Sequence, residues 1–391
     1  VAYSRGKTDE AFTAFENARV RLESLLKIQP NNLDLLMLAG ANAFWLGNLA
    51  FKQSDYNGAK PMFESYLEYT KKMYQLAPND FNSIMELSYS YNSLGSLYLK
   101  QFEYLLAQQS FTESLKLKNK ALELKPHNKN LLRDKTDTIS WIASAEERLG
   151  NLKQSLNMLE LAVTQLNTML IQAPDDASLL NFLSNTYMQQ SYLLSYFPDK
   201  NNAYSKAEKA MLAIKKAQRQ DPENENFKRK YYRSLSYQLM LLEKNKTSNQ
   251  TDEIISYINK NGFSKTSFIN IQISLIYYFI NRGNFNKAET LLKKIENSVE
   301  FKERLNSTVK MESNLDIIKI SLIKARLAKD KKTKQSNCHN IINYIEKNNN
   351  RSQSIKTVYP LLQAYTCLKK ENEVGAIKNK LIELGITNFE L

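Results

Sequence analysis

The 391 residues hold two histidines and two cysteines, so nucleophilic or acid–base chemistry has few starting points. His127 follows Pro126 in a Pro-His-Asn turn, the setting of a capping or solvated residue. His339 adjoins Cys338 in a helical stretch, and adjacent helical residues point about 100° apart, a poor arrangement for a nucleophile and its base. Cys338 and Cys367 form no CxxC metal knuckle, and two cysteines supply no disulfide framework to hold a fold of this length. Neither GxxxxGK[ST] nor GxGxxG occurs, so no glycine-rich phosphate loop is expected. These residues imply no cofactor and no enzyme.

Binding chemistry is better supplied. Lys206 to Arg233 is basic and carries Lys228-Arg229-Lys230, Tyr231-Tyr232 and Arg233, and Lys319 to Lys334 is a second basic stretch with Lys329, Lys331, Lys332 and Lys334. Cations interleaved with aromatics can hold a phosphate backbone and stack on unpaired bases. Lys228, Arg229, Lys230, Arg233, Lys331 and Lys332 are therefore the candidate set for an anion or nucleic acid, against the plainer reading of a solvated basic face. Charge is divided unevenly: residues 1 to 200 hold 20 Lys+Arg against 21 Asp+Glu, whereas 201 to 391 hold 34 against 19. The whole +14 thus belongs to the C-terminal half, an asymmetry that points to an anionic partner.

The elements that must carry these residues are helical. With 42% hydrophobic and 24% charged residues the chain reads as folded, and 10 Gly and 8 Pro are too few to punctuate a many-turned β-fold. No run of about 18 apolar residues and no apolar leader stands out. Prolines set the organisation: Pro30, Pro78, Pro126, Pro174 and Pro222 stand 48 residues apart, most followed by Asn, Asp or His. Proline stops a helix and the next Asn or Asp caps another, so each pair marks a corner. Ala11, Ala59, Ala107, Ser155 and Ala203 keep the same step, as do Phe15, Phe63, Phe111 and Leu159, and upstream of them Leu46-Gly47, Leu94-Gly95 and Ile142-Ala143. A small residue one turn from a large one lets two helices approach closely. Each unit is thus a pair of helices of about 20 residues, and since one hairpin cannot bury its apolar stripe alone, the units must stack.

Tyr91, Leu94-Gly95, Tyr98, Ala107, Phe111 and Pro126 resemble the pattern of the tetratricopeptide repeat, with Tyr91 in place of its tryptophan. Leu46-Gly47, Ala59, Phe63 and Pro78 repeat most of it one unit earlier, and Asn270 to Glu296 and Val358 to Leu384 resemble it again. The family unit has about 34 residues, so both helices here are extended. Gln190-Ser191 replaces Leu-Gly in the fourth unit. The resemblance implies an all-α fold, a right-handed superhelical α-solenoid of antiparallel hairpins. Extended arrays of this kind resemble those that follow a kinase or winged-helix domain in bacterial signalling proteins. Gly6 to Ala11 align with an inter-helix turn, as if the chain began in mid-repeat, and Leu384 to Phe389 resembles a terminal cap.

The family's concave surface is lined by first helices. Carried over by the 48-residue step, the columns there are Lys52, Lys100, Arg148 and Tyr196; Asn48, Ser96, Ser144 and Tyr192; and Phe44, Asn92, Ser140 and Met188. Of these, Phe44, Asn48, Lys52, Asn92, Ser96, Lys100, Ser144, Arg148, Tyr192 and Tyr196 make the expected partner groove, suited to a protein or an acidic peptide. The competing reading of its cations is that Lys and Arg near a helix C-terminus stabilise the macrodipole. Trp45, Ser93 and Trp141 stand where the family's carboxylate clamp would need other residues, which disfavours chaperone-tail recognition. The polar stretch Lys244 to Thr251 reads as a linker, giving an N-terminal array over 1–243, a linker at 244–252 and a basic C-terminal array over 253–391. The expected function is a protein-interaction scaffold in the cytoplasm, or on the periplasmic side of a membrane-anchored parent protein, with nucleic-acid binding as the alternative.

Overall fold

The computed structural model describes residues 8–242, 250–261, 268–298, 301–302, 315–348 and 353–387. They form seventeen helices and, among the described residues, no strand: α1 (Thr8–Ile28), α2 (Leu33–Lys52), α3 (Tyr56–Leu76), α4 (Phe81–Lys100), α5 (Tyr104–Leu124), α6 (Lys129–Leu149), α7 (Leu152–Gln172), α8 (Ala177–Leu194), α9 (Lys200–Gln220), α10 (Glu225–Leu241), α11 (Gln250–Asn261), α12 (Ile269–Asn281), α13 (Phe285–Asn297), α14 (Leu315–Leu327), α15 (Lys331–Asn348), α16 (Ile355–Cys367) and α17 (Glu371–Glu383). Two compact units contain them, Val1–Leu149 with α1 to α6 and Gly150–Leu391 with α7 to α17. Within each unit, helices adjacent in sequence pack on one another from α1 to α6, from α7 to α11 and from α12 to α17.

The 48-residue period is visible atom by atom. Even-numbered helices α2 to α10 start at residues 33, 81, 129, 177 and 225, and odd-numbered α1 to α9 at 8, 56, 104, 152 and 200. Just before each even-numbered helix stands Asn32, Asp80, Asn128, Asp176 or Asn224, whose side chain accepts N–H bonds from the first turn: Leu35 N at 3.1 Å, Ser83 N at 2.8 Å, Leu131 N at 3.1 Å, Leu179 N at 2.9 Å and Phe227 N at 3.2 Å. Each bond satisfies a donor that the helix itself leaves orphaned. The caps' own N–H groups close the same turn around each proline, onto Gln29, Ala77, Lys125, Ala173 and Asp221. The five prolines therefore occupy equivalent corners between hairpins.

Inside a hairpin the turn is tighter. Asp55 N–H donates to Ala50 O and Glu103 N–H to Tyr98 O, both at 2.9 Å, which places Ser54 and Phe102 at φ +63° and +64°. Gly283 and Lys369 make the same turn between α12 and α13 and between α16 and α17. The fourth repeat cannot do so, because Pro198 falls at that position and proline is confined to negative φ. Its first helix accordingly ends early, at Leu194.

The small–large columns explain the close approach of the two helices. A Cβ on Gly47 would come within 2.7 Å of Phe63, and one on Gly95 within 2.7 Å of Phe111. Phe63 and Phe111 are thereby buried against Ala59 and Ala107, each contributing about 2 kcal/mol or more of apolar transfer. Ser191 occupies the equivalent position in the fourth repeat, and its hydroxyl donates to Ala203 O at 2.5 Å across the hairpin. A small polar residue thus does there what glycine does elsewhere. Helix α2 is long and apolar enough to match a membrane span by composition, but Leu36, Ala39, Ala43, Leu46 and Leu49 are buried within its unit, as in a core helix.

Three expectations need correction or completion. Cys338 and Cys367 are joined by a disulfide that ties α15 to α16, so a disulfide does help to hold the C-terminal unit together, and Cys338 is not a thiol nucleophile. The lysine-rich stretch Lys329 to Ser336 is not a break throughout, since α15 begins at Lys331 behind an Asp330 cap whose carboxylate accepts from Thr333 N at 2.8 Å. Most of the expected linker, 244–249, lies outside the described residues, as do Gly6, Asn388 and Phe389; α11 begins at Gln250.

Candidate functional site

In the N-terminal unit the expected groove positions come from α2, α4 and α6. Lys52 and Lys100 are the last residues of their helices, and Arg148 is the penultimate residue of its own. Arg148 folds back, its guanidinium donating to Ser144 O at 2.9 Å and lying 3.9 Å from Glu147. Here the macrodipole reading accounts for the cation: a carbonyl near the helix C-terminus receives it. Phe44 is half-buried, packed on Phe63 and Tyr66 of α3 with ring centroids 6.4 and 5.7 Å away, so it serves the hairpin as much as the surface. Asn92 donates to Thr138 Oγ1 at 3.3 Å, linking α4 to α6. Asn48 and Ser96 are half-buried on the same column. Trp45 and Trp141, 37% and 46% exposed, stack on Phe15 and Phe111, which makes them exposed aromatic panels of this unit.

Beneath that surface lies a polar seam. Lys118 of α5, 1% exposed, donates to Thr138 Oγ1 at 2.7 Å and Asp134 O at 3.2 Å, with Tyr89 5.6 Å away. Tyr89 in turn donates to Asp134 at 2.8 Å. Burial lowers the Lys118 pKa to about 8 against the pull of Asp134 and Asp137, and burial likewise raises that of Asp137. Both shifts oppose charge, as desolvation requires and ion pairing does not.

The C-terminal unit gathers a denser site, in which Tyr192 and Tyr196 belong. Tyr192 of α8 has Lys319 of α14 5.3 Å and Lys356 of α16 5.5 Å from its ring centroid, with Tyr237 of α10 stacked at 5.8 Å. Tyr196 meets Tyr192 edge-on at 5.8 Å and Tyr359 of α16 at 5.3 Å, and its hydroxyl reaches that of Tyr192 at 3.4 Å. Tyr277 of α12 holds Arg326 of α14 at 5.4 Å; burial pushes its phenol up to about 12, against the opposing pull of Arg326. Tyr237 is buried, donates to Ser195 Oγ at 3.0 Å, and has its pKa raised by burial. Arg233 of α10 is open to solvent, yet desolvation by surrounding protein lowers its pKa, with Asp316 opposing. Side chains of five consecutive first helices, α8, α10, α12, α14 and α16, meet in this cluster.

The basic candidates do not form one patch. Lys228 pairs with Glu225 at 2.9 Å, Arg229 donates to Asn226 at 2.7 Å, and Lys230 crosses to Asn181 of α8 at 2.6 Å. Lys331 and Lys332 are exposed in the first turn of α15. Of the six, Arg233 alone is brought near the cluster around Tyr192. Sequence reasoning did not single out Tyr237, Tyr277, Arg326 and Lys356, and it took Lys319 only as the edge of a lysine-rich stretch. A signal existed: Tyr192, Tyr237 and Tyr277 recur at about one repeat on successive first helices, in steps of 45 and 40 that no longer keep the strict 48.

Comparison with known proteins adds a partial likeness. The model of the plant-specific mitochondrial import receptor subunit TOM20 family matches residues 134–251, a minority of the chain. No curated protein matches the sequence. Solved structures that match include a human IFIT1 dimer with m7Gppp-AAAA, at 13% identity over 95% of this chain and 68% of that one, TM-score 0.33. A circular tandem repeat protein with novel repeat topology and enhanced subunit contact surfaces matches at 12% identity over 97% and 90%, TM-score 0.32. Yeast Tom70 matches at 12% identity over 97% and 93%, TM-score 0.30. Likenesses this distant carry no functional argument. Its own caps, turns and small–large columns make the chain a TPR-like helical-repeat protein.

Proposed function

We propose that the chain is a protein-binding scaffold whose first-helix faces hold a peptide or a partner domain, with no catalytic role. The observation that supports this reading most is the convergence of α8, α10, α12, α14 and α16 on one aromatic and cationic cluster, to which successive hairpins each contribute side chains from their first helix. A segment lying there touches several repeats at once, which is how a stack of weak unit contacts sums to a specific one. The nucleic-acid alternative needs open rings on which bases stack. Tyr192 carries two lysines and a stacked tyrosine, and Tyr232 lies 3.9 Å from Tyr257, so those rings are already engaged.

The narrower placement, as the interaction or sensory module of a larger bacterial signalling or regulatory protein, rests on the repeat pattern's resemblance. The TOM20 family match lends it no support, being to a plant mitochondrial receptor. A kinase or winged-helix domain encoded ahead of Val1 would bear it out. For the scaffold itself, the immobilised full chain presented to a cell lysate is expected to retain a discrete set of proteins. Lys52→Glu with Lys100→Glu should release those held by the N-terminal face while helical content stays constant. Retention of nothing by the unaltered chain refutes the reading.

A further inference from the structure

In a stack of hairpins each repeat touches only its neighbours, yet the hairpin of α16 and α17 meets α8. Tyr359 of α16 packs edge-on against Tyr196 at 5.3 Å, and Lys356 lies 5.5 Å from the ring centroid of Tyr192. A Cβ on Gly150, ahead of α7, would come within 3.2 Å of Gln353, and one on Gly385, beyond α17, within 3.7 Å of Phe197. Lys380 of α17 donates to Gln353 at 2.7 Å, so α16 and α17 meet the end of α8 as one piece. α16 is tied to α15 at both ends: the chain enters it from Asn348, and the Cys338–Cys367 bond holds its last residue. Pro360 lies inside it and has no N–H to give back to the turn that carries Lys356 and Tyr359. In α17, among the described residues, only Leu381 is buried. A hairpin with so little burial on its second helix opens at low cost unless something holds it.

We propose that α16 and α17 form a clasp over the first-helix cluster of the C-terminal unit, held shut by the Cys338–Cys367 disulfide and released by a dithiol reductant. This rests on the scaffold reading above, because the clasp covers the end of α8 that a bound segment would use. Cys367 is half-buried and Cys338 buried, so Cys367 Sγ is the sulfur that an attacking thiolate reaches. One thiolate of the reductant bonds to Cys367 Sγ and expels Cys338 Sγ, which takes up a proton. The reductant's second thiolate then closes onto its first sulfur and expels Cys367 Sγ, which is protonated in turn. Two electrons pass to the protein, which gains two thiols, and the reductant leaves as a cyclic disulfide. α16 is then tied to α15 only at its start and can swing about that end. α15 stays in place, because Ile341, Ile342 and Ile345 share one core with Ile318 and Leu322 of α14.

The end of α8 gives the readout. Ser195, Tyr196 and Phe197 N–H donate to Ser191, Leu193 and Leu194 O, bonds that fray at a helix end when nothing covers it. Hydrogen exchange of the full chain, followed by mass spectrometry of its peptides, is compared before and after reduction with dithiothreitol. Reduction is expected to speed exchange about tenfold at Tyr192 to Phe197 and in α16 and α17, while α9 and α10 keep their rates. Cys367→Ser should exchange at the reduced rate with or without reductant. Tyr359→Ala, which leaves the disulfide intact, should open the end of α8 without reductant. If Cys367→Ser fails to fold, the wild-type chain reduced and then capped with iodoacetamide gives the same comparison. Equal exchange before and after reduction overturns the proposal, and so does unchanged exchange of α8 in Tyr359→Ala. A rise spread evenly through the unit, α9 and α10 included, also overturns it, because a disulfide that only stabilises would give that result. A chain that retains proteins from lysate while its exchange ignores reductant loses this inference and keeps the scaffold reading. One that opens on reduction yet retains nothing, oxidised or reduced, loses the scaffold reading while the clasp stands.

Discussion

Lys118 offers a sharp test of how the N-terminal unit is held together. Its ammonium lies in a site 1% exposed and holds its proton less tightly than in the unfolded chain, about 8 against 10.5. Below pH 8 both forms are protonated and the folded state carries the full cost, on the order of 3 kcal/mol at about 1.4 kcal/mol per pKa unit. Between pH 8 and 10.5 the unfolded chain holds more protons than the folded one, so stability rises with pH through that window. From about pH 7.5 to about pH 9.5 the gain works out at roughly 2 kcal/mol. Tyr66 and Tyr89 have phenols raised by burial, so their contribution has the opposite sign and is lost only as pH climbs past the ordinary tyrosine value of 10. Both effects are common to wild type and a Lys118→Met variant, which removes the titrating group and keeps an unbranched chain in the same space. Both tryptophans of the chain, Trp45 and Trp141, lie in this unit, so urea unfolding followed by tryptophan fluorescence reads it separately from the C-terminal one. The expected result is a wild-type midpoint that climbs with pH while the variant's does not. Parallel curves would refute the reasoning, because they would mean that Lys118 reaches water or is fully paired with Asp134 and Asp137.

The hairpin interior yields three further expectations. Gly95→Ala should destabilise the N-terminal unit by about 2 kcal/mol in the same urea assay, since a Cβ 2.7 Å from Phe111 costs more in overpacking than the roughly 1 kcal/mol that alanine gains in helix propensity. Ser54→Gly should stabilise it by about 0.5–1 kcal/mol, because φ +63° lies in the left-handed region that only glycine adopts freely; a loss of stability there would mean that Ser54 does more than turn the chain. Cys338→Ser should lower the stability of the C-terminal unit by about 3 kcal/mol, as expected for opening a cross-link 29 residues apart in sequence, and thermal unfolding followed by circular dichroism with and without reductant should show the same loss in wild type and none in the variant.

What could be read from the sequence, and what could not, divides along a physical line. The hairpins were legible because their determinants are local and recur: Pro78 with Asp80, or Pro174 with Asp176, announces a stop and a cap within three residues, and Gly47 with Phe63 or Gly95 with Phe111 repeats one close approach at one spacing. Lys118 was not legible, because its column holds threonine at Thr70 one repeat earlier, and only the positions of Asp134 and Thr138 show that a lysine can be buried there. The Cys338–Cys367 pair was missed for a related reason: two cysteines at unremarkable positions become a cross-link only when α15 and α16 lie side by side. The cluster around Tyr192 lies at the far end of this scale. Its tyrosines sit on successive first helices, but after Pro222 the repeats shorten and the 48-residue step that leads to Tyr192 and Tyr196 no longer points to Tyr237 or Tyr277. Its cations come from stretches where lysine is common, so composition could not separate Lys319, turned onto Tyr192, from Lys331 and Lys332 on the open surface. A repeat shows where its faces are as long as its period holds; a cluster built where the period fails has to be found from which side chains meet.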